Sequence, residues 1–212
     1  MSSPGPLTPA MAALNAVHEK FIFNRRIHVL PRLLAEALPP ENGSVLDVGC
    51  GDGQVALNLM ELRPGLKVTG VDVMVRRQTH IPVVEYDGSH LPFEDKAFEY
   101  ATIVDVLHHT ENPTEVLREV ARVVRKAIVI KDHLREGLLA GPTLRAMDWV
   151  GNRGHDVVLP YNYLRQAEWN AAFAASGLTI ESWNEHLGLY APPLSWFFER
   201  RLHFVARLSP GM

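Results

Sequence analysis

The 212-residue chain contains one cysteine, Cys50, and no apolar stretch near the roughly 18 residues that a membrane-spanning helix needs. A single cysteine cannot form an internal disulfide, so the sequence lacks the framework that stabilises many small secreted domains. The N-terminus also lacks the basic start and continuous apolar run of a signal peptide. These absences predict a cytoplasmic protein without a membrane span.

The chain lacks an excess of basic residues as well. Its 21 Lys+Arg and 24 Asp+Glu give a formal net charge of −3. Proteins that bind a phosphate backbone usually carry a basic excess, so we expect no DNA partner, and the charge balance disfavours RNA. A hydrophobic content of 47% excludes a disordered chain. The composition does not indicate an oligomeric state.

Short apolar strands alternate with amphipathic helices from residue 44 onwards. The pattern predicts strands at 44–48, 67–72, 82–86, 100–104 and 127–130, and two more at 178–183 and 202–208. Continuous apolar strands between amphipathic helices are typical of a parallel sheet that is buried on both faces. We therefore predict an α/β fold: a single Rossmann-like doubly wound sheet, mostly parallel with an antiparallel C-terminal strand, and helices on both faces.

The most informative segment is Val45-Leu46-Asp47-Val48-Gly49-Cys50-Gly51-Asp52-Gly53, in which a strand leads into three alternating glycines and then a helix. Glycine permits a tight turn and lets a ligand approach the main chain closely. The helix after the loop offers unpaired N–H groups and the positive end of its dipole. The segment predicts a site for a nucleotide-like ligand that carries a carboxylate or a phosphate.

The spacing of the glycines distinguishes two classes of cofactor. A dinucleotide fingerprint, G-x-G-x-x-G, requires a third glycine at position 54, where this chain has Gln54. The third glycine is Gly53 instead, so an NAD(P)-linked oxidoreductase is the less favoured alternative.

The pattern G-x-G-x-G after Asp47 resembles motif I of the class I S-adenosylmethionine-dependent methyltransferases. Asp72, which closes the second strand, matches the acid that binds both ribose hydroxyls in that family. The segments 86–93, 99–109 and 117–123 are similar to the "methyltransferase type 11" branch, so the resemblance covers about residues 44–133. It implies that S-adenosyl-L-methionine is the cofactor.

The resemblance also implies a set of cofactor-binding residues at strand ends and in the glycine loop. They are Asp47, Gly49, Cys50, Gly51, Asp52, Gly53, Asp72, Val73, Asp87, Gly88, Asp105 and Val106. The acids suit the net positive charge of this cofactor, whereas the alternative is that they are turn and cap aspartates, above all Asp52 and Asp105. Cys50 is interpreted as a small filler rather than a reactive thiol.

His133 and Tyr161 are the candidate catalytic residues. The pair Asp132-His133 ends the fifth strand, where a histidine can take a proton from an acceptor hydroxyl, although a surface or capping role is the alternative. Tyr161 lies with Met147, Trp149, His155 and Tyr163 in a long segment that suits an acceptor pocket. No metal is predicted, because the ten histidines lack a ligand spacing such as H-E-x-x-H.

These features together predict one methyltransferase domain over 1–212. An N-terminal helical cover (1–43) precedes the cofactor-binding core (44–133), an acceptor lid (134–163), and a C-terminal helix and strands (164–212). The predicted reaction is in-line transfer of a methyl group to an O, N, S or C atom of a small molecule. An RNA or protein acceptor, or a regulatory partner that binds the cofactor without turnover, are the alternatives.

Overall fold

A computed structural model describes residues 24–151, 161–190, 192 and 195–211 of the chain. The first part of the predicted N-terminal cover, residues 1–23, and His155 of the predicted lid lie outside the described residues. In the described part, no helix combines the length and the apolar character that crossing a membrane requires.

The described elements alternate as the sequence predicts. In chain order they are α1 (Asn24–Ala37), β1 (Gly43–Val48), α2 (Gln54–Leu62), β2 (Leu66–Asp72), β3 (Val83–Glu85), β4 (Phe98–Val104), a 3₁₀ turn (Leu107–His109), α3 (Pro113–Val123), β5 (Val124–His133), α4 (Ala140–Gly151), α5 (Gln166–Ala175), β6 (Leu178–Asn184), α6 (Ser195–Phe198) and β7 (His203–Pro210).

The seven strands form one sheet in the order β3-β2-β1-β4-β5-β7-β6. Strands β1 to β5 pair in parallel, whereas β7 runs antiparallel to both of its neighbours, β5 and β6. The predicted mostly parallel sheet with an antiparallel C-terminal strand is confirmed. The strand order reverses between β1 and β4, and in such sheets ligands bind at the carboxyl ends of the two strands beside that point.

Helices cover both faces of the sheet, as predicted. On one face α3 and α5 bury Leu117, Val120, Trp169 and Phe173 against strand residues such as Leu46 and Ile103. On the other face α1 and α2 bury Leu30, Leu34, Ala56 and Leu59 against Val45, Val68 and Val129. Because consecutive strand residues face opposite sides, an apolar run such as Val45-Leu46 serves both cores.

Two details differ from expectation. Strand β5 begins at Val124, which pairs with Phe98, three residues before the predicted strand 127–130. Arg125 and Lys126 are exposed in this otherwise buried strand. The predicted lid segment contains a regular helix, since α4 fills 140–151.

Candidate active site

The three glycines after β1 all adopt the left-handed conformation, with φ angles of 68°, 60° and 79° for Gly49, Gly51 and Gly53. A Cβ atom on Gly49 would lie 2.4 Å from a methyl carbon of Val106, and one on Gly53 would lie 2.5 Å from Ile81 Cγ1. A Cβ atom on Gly51 would meet nothing within 4 Å. The outer glycines therefore allow close internal packing, whereas the middle one borders open space that a ligand can enter.

Asp72 lies directly beside this open glycine. Its Oδ2 accepts the backbone N–H of Gly51 at 2.8 Å, and its Oδ1 accepts the N–H of Met74 at 3.0 Å. Each carboxylate oxygen has two acceptor sites, so both oxygens keep capacity for a further hydrogen bond. The arrangement fixes the carboxylate at the end of β2 and leaves it able to bind two hydroxyl groups.

Asp87 and Gly88 lie on the loop after β3. Asp87 Oδ1 accepts the N–H groups of Ser89 and His90, both at 2.7 Å, and these bonds lower the pKa of its carboxyl. The position of a Cβ on Gly88 is 3.3 Å from Val73, whose side chain is exposed after β2. The loop thus places a carboxylate and an exposed apolar side chain close together, as an adenine site requires.

The remaining residues of the glycine segment have internal partners. Asp52 Oδ1 accepts the N–H of Gln54 at 3.0 Å, as a residue at the start of a helix does. Asp47 is buried and accepts a hydrogen bond from the Thr102 hydroxyl at 2.7 Å. Burial raises the pKa of Asp47 to about 7 and that of the Cys50 thiol to about 12. A thiol with that pKa stays protonated, in keeping with the interpretation of Cys50 as a filler.

The end of β4 joins the glycine loop to a buried group of charged side chains. Val106 packs against Gly49, and the preceding Asp105 has a left-handed φ of 56°. Asp105 Oδ1 lies 2.5 Å from the Lys131 ammonium, and Oδ2 accepts a hydrogen bond from the Arg26 guanidinium. The two cations hold the pKa of Asp105 well below its usual range against the opposing effect of burial.

A second chain of contacts runs from β5 to the predicted lid. His108 Nδ1 lies 2.7 Å from Asp132 Oδ1, and its Nε2 lies 3.5 Å from Asp148 Oδ2 of α4. Tyr163 donates its hydroxyl to the same oxygen of Asp148. The two carboxylates raise the pKa of His108, although burial acts in the opposite direction.

His133 lies between these two sets of contacts. Its Nδ1 is 3.5 Å from Asp105 Oδ1 and 3.6 Å from Asp132 Oδ1, and its Nε2 is 3.7 Å from Asp148 Oδ1. Burial lowers the pKa of His133, so the imidazole is neutral, and Nδ1 has no hydrogen-bond partner in the part of the chain that the structure describes. The side chain is only 3% exposed.

Tyr161 is half-buried in a left-handed conformation, with a φ of 56°. Its ring lies 5.6 Å from the Arg145 guanidinium and 6.2 Å from the Tyr163 ring. The structure therefore brings both candidate catalytic residues to Tyr163, with His133 in the buried layer and Tyr161 nearer the surface.

Four of these side chains form a set that can hold a metal, because each offers a donor atom and the donor atoms all lie within 4.8 Å of one another. The set comprises Asp105, His108, Asp132 and His133. However, the ammonium of Lys131 and the guanidinium of Arg26 already contact Asp105. With His108 protonated, three cations face the three carboxylates Asp105, Asp132 and Asp148. The charges balance without a metal ion, and the expectation of no metal site stays a prediction.

Sequence reasoning missed four members of this charged cluster: Arg26, Lys131, Asp148 and His203. His203 Nδ1 lies 3.5 Å from the Lys131 ammonium, and its ring lies 5.0 Å from that of His133. Lys131 offered one local signal, since it is a lysine inside the apolar strand β5 and directly precedes Asp132-His133. Arg26 and Asp148 lie on helices far away in the chain, so no local pattern connects them to β4 and β5.

Comparison with known proteins identifies the family. The profile of a family described as "Methyltransferase domain" matches residues 19–182. A demethylmenaquinone methyltransferase of Corynebacterium kroppenstedtii is 35% identical over 94 residues, which are 42% of this chain and 40% of that protein. The tRNA (carboxymethyluridine(34)-5-O)-methyltransferase of Schizosaccharomyces pombe is 31% identical over 91 residues, 41% of this chain and 38% of that protein.

Solved structures agree on the fold. An S-adenosylmethionine-dependent methyltransferase from Mesorhizobium loti superimposes with a TM-score of 0.65 at 19% identity, over 84% of this chain and 96% of that chain. The chain spans less than half the length of the first curated relatives that it matches. The family profile covers most of the chain, and the chain therefore belongs to the class I S-adenosylmethionine-dependent methyltransferase family.

Proposed function

We propose that this protein transfers the methyl group of S-adenosylmethionine to a nucleophilic atom of a small molecule. The observation that carries the proposal is the open space at Gly51 beside the fixed carboxylate of Asp72. In the bound state, Asp72 accepts hydrogen bonds from the two ribose hydroxyls. The adenine is bound by Asp87, Gly88 and Val73. Val106 lies next to the glycine loop, beside the methionine part of the cofactor.

The acceptor lies at the ends of β4 and β5, where His133 takes the proton that the nucleophile loses. A neutral imidazole with a free ring nitrogen is suited to that role. Because His133 is 3% exposed, an acceptor reaches it only when the covering residues move. Asp148 of α4 lies 3.7 Å from His133 Nε2, so a displacement of the segment 134–163 uncovers the imidazole. We therefore assign this segment, with Tyr161, the role of a lid.

Most of the acceleration comes from positioning, because the sulfonium already activates the methyl group. Holding the nucleophile in line with the C–S bond and excluding water lowers the barrier without a covalent intermediate. A lid that closes over the acceptor supplies both conditions. The residues of the chain thus bind the cofactor, orient the acceptor and remove its proton.

The small-molecule acceptor is favoured over RNA by the net charge of −3, although relatives of the family act on both. Transfer RNA stays the alternative acceptor, and a regulatory protein that binds the cofactor without turnover is the other alternative.

The proposal is tested by calorimetry and by a transfer assay on the purified protein. We expect S-adenosylhomocysteine to bind in the micromolar range, whereas NADH and NADPH give no change in fluorescence. Methyl transfer is then measured with radiolabelled S-adenosylmethionine against a panel of quinols and phenols and against total tRNA. Micromolar binding of NADH without binding of S-adenosylhomocysteine contradicts the proposal, and transfer to tRNA alone replaces the small-molecule acceptor.

A further inference from the structure

We propose that the methyl acceptor carries a carboxylate, and that this carboxylate binds in the place that Asp148 occupies in the free protein. The groups that bind it are the imidazoles of His108 and His133 and the hydroxyl of Tyr163, which surround the Asp148 carboxylate. The inference rests on the proposed function, because it adds the chemical class of the acceptor to the same site.

Three buried polar groups meet at the two oxygens of Asp148. Tyr163 donates its hydroxyl to Oδ2, and His108 Nε2 lies 3.5 Å from the same oxygen. His133 Nε2 faces the other oxygen, Oδ1, at 3.7 Å. All three side chains are buried, and burial strengthens their interaction with a charged group. The arrangement is therefore suited to holding a carboxylate.

The three groups are held in place by elements other than α4. His108 Nδ1 lies 2.7 Å from Asp132 Oδ1, which directs the opposite ring nitrogen towards α4. Asn162 donates its backbone N–H to the His108 carbonyl at 3.2 Å, which keeps the neighbouring Tyr163 beside the 3₁₀ turn. His133 is the last residue of β5. The binding groups thus stay together when α4 moves.

Asp148 itself lies on α4, which is attached to the protein through a small core. The buried apolar residues of this helix, Ala140 and Leu144, pack with Tyr163 and Leu202, apart from the two cores that flank the sheet. An element with few buried apolar contacts separates at a lower cost than a central strand. Asp148 therefore leaves the site with α4 when an acceptor enters.

The charges of the site favour an anionic acceptor. In the structure three cations face three carboxylates, and Asp148 is the carboxylate on α4. Burial opposes the charge of His108, but the carboxylates of Asp132 and Asp148 outweigh it and raise the pKa of the imidazole. If Asp148 left and a neutral acceptor entered, a buried positive charge would lose its partner, which is costly. A carboxylate on the acceptor restores the balance.

The test compares benzoate with benzamide, which has nearly the same shape without the charge. Calorimetry on the protein saturated with S-adenosylhomocysteine measures both affinities in the wild type and in Asp148→Asn. The wild-type carboxylate competes with the probe, and the substitution removes this anionic competitor. We expect Asp148→Asn to bind benzoate on the order of tenfold more tightly than the wild type. Its affinity for benzamide should stay within about twofold, the size of a neutral change.

Asp95→Asn is the matched control, because it makes the same change in net charge at the opposite end of β4. Asp95 is exposed, precedes β4 and pairs with Arg122 at 2.8 Å. This variant should bind benzoate like the wild type.

A second measurement uses the wild type alone. If benzoate displaces Asp148, hydrogen exchange of the backbone amides of α4 should become faster with benzoate and not with benzamide. This measurement decides the question if Asp148→Asn does not fold, since unchanged exchange with benzoate overturns the proposal.

The outcomes separate this inference from the function on which it rests. If the wild type does not bind S-adenosylhomocysteine, the proposed function fails. If it does, but Asp148→Asn gains no affinity for benzoate or gains equally for benzamide, the proposed function holds and the carboxylate subsite is overturned.

Discussion

The carboxylates at the ends of the strands fall into two groups that differ in their partners. At the edge formed by β2 and β3, Asp72 and Asp87 accept hydrogen bonds from backbone N–H groups. Among the described residues, the one cationic group near them is the exposed His90 beside Asp87. At the edge formed by β4 and β5, Asp105 is half-buried against Lys131 and Arg26, and Asp132 is buried against His108.

The difference shows that aspartates at the carboxyl ends of the strands of one sheet can serve two purposes. Backbone N–H groups orient a carboxylate without neutralising it, so the first edge keeps a negative potential that attracts a cationic cofactor. The charges of the second edge compensate one another and hold α1 and α4 against the sheet. The first edge is therefore suited to binding the cationic cofactor, and the second is suited to positioning the groups around the acceptor.

The largest change in the free energy of unfolding is expected from removing a charge at the second edge. Asp132→Asn leaves His108 and its neighbours without their closest carboxylate, and breaking a buried ion pair costs about 3–5 kcal/mol of unfolding free energy. Because the pKa of Asp132 is lowered in the folded state, its contribution is present at neutral pH and is lost as the pH falls through that pKa. Urea unfolding followed by circular dichroism at pH 7 measures the first effect, and the same curves at decreasing pH below 4 follow the second.

The matched variant at the first edge is Asp87→Asn. Asp87 is 64% exposed and its partners are backbone N–H groups that an amide oxygen also accepts, so the urea midpoint should not move. Equal losses of unfolding free energy for Asp132→Asn and Asp87→Asn would contradict the distinction between the two edges.

Asp47 at the end of β1 belongs to neither group, because it is buried, accepts a hydrogen bond from Thr102 and contacts no cation among the described residues. Its pKa is raised to about 7, so its contribution to stability is present below pH 4 and is lost as the pH rises towards 7. Asp47→Asn removes this dependence and should stabilise the free protein by up to roughly 4 kcal/mol at pH 8, and by little at pH 4. Unfolding curves across that range measure the gain, and a gain independent of pH would show that Asp47 titrates normally.

A smaller effect is expected on cofactor affinity. Asp72→Ala leaves two ribose hydroxyls without their acceptor and should cost about 1.5–3 kcal/mol of binding free energy, roughly ten- to hundredfold. Calorimetry with S-adenosylhomocysteine measures the change. An unchanged affinity would remove Asp72 from the ribose site, and the first edge would lose its assigned function.

The sequence indicated every residue assigned to the first edge but only part of the second. Glycine spacing and acids at strand ends are local signals, so they indicated Gly51, Asp72 and Asp87, and also Asp105 of the second edge. The second edge collects Arg26 from α1, Lys131 from β5 and Asp148 from α4. Nothing near any one of them in the chain indicates the others, because their proximity depends on how α1 and α4 pack on the finished sheet.

The start of β5 was also missed, because the sequence indicated a strand only over 127–130. Arg125 and Lys126 look like turn residues, yet they begin a strand because their backbone extends β5 beside β4 while their side chains stay exposed. Pairing across the sheet thus outweighed the local preference.

The last prediction concerns the alkylation rate of Cys50, which depends on its burial and on the negative charges near the glycine loop. Burial, with the charges of Asp47 and Asp72 as further causes, raises the pKa of Cys50 to about 12. At pH 8 its thiolate fraction is then roughly a thousandfold below that of a free cysteine, so iodoacetamide should alkylate it very slowly. Mass spectrometry over time measures the rate, with glutathione as the reference. Asp72→Ala should raise the rate, because it removes one negative charge. Rapid alkylation of the wild type would contradict the raised pKa of Cys50.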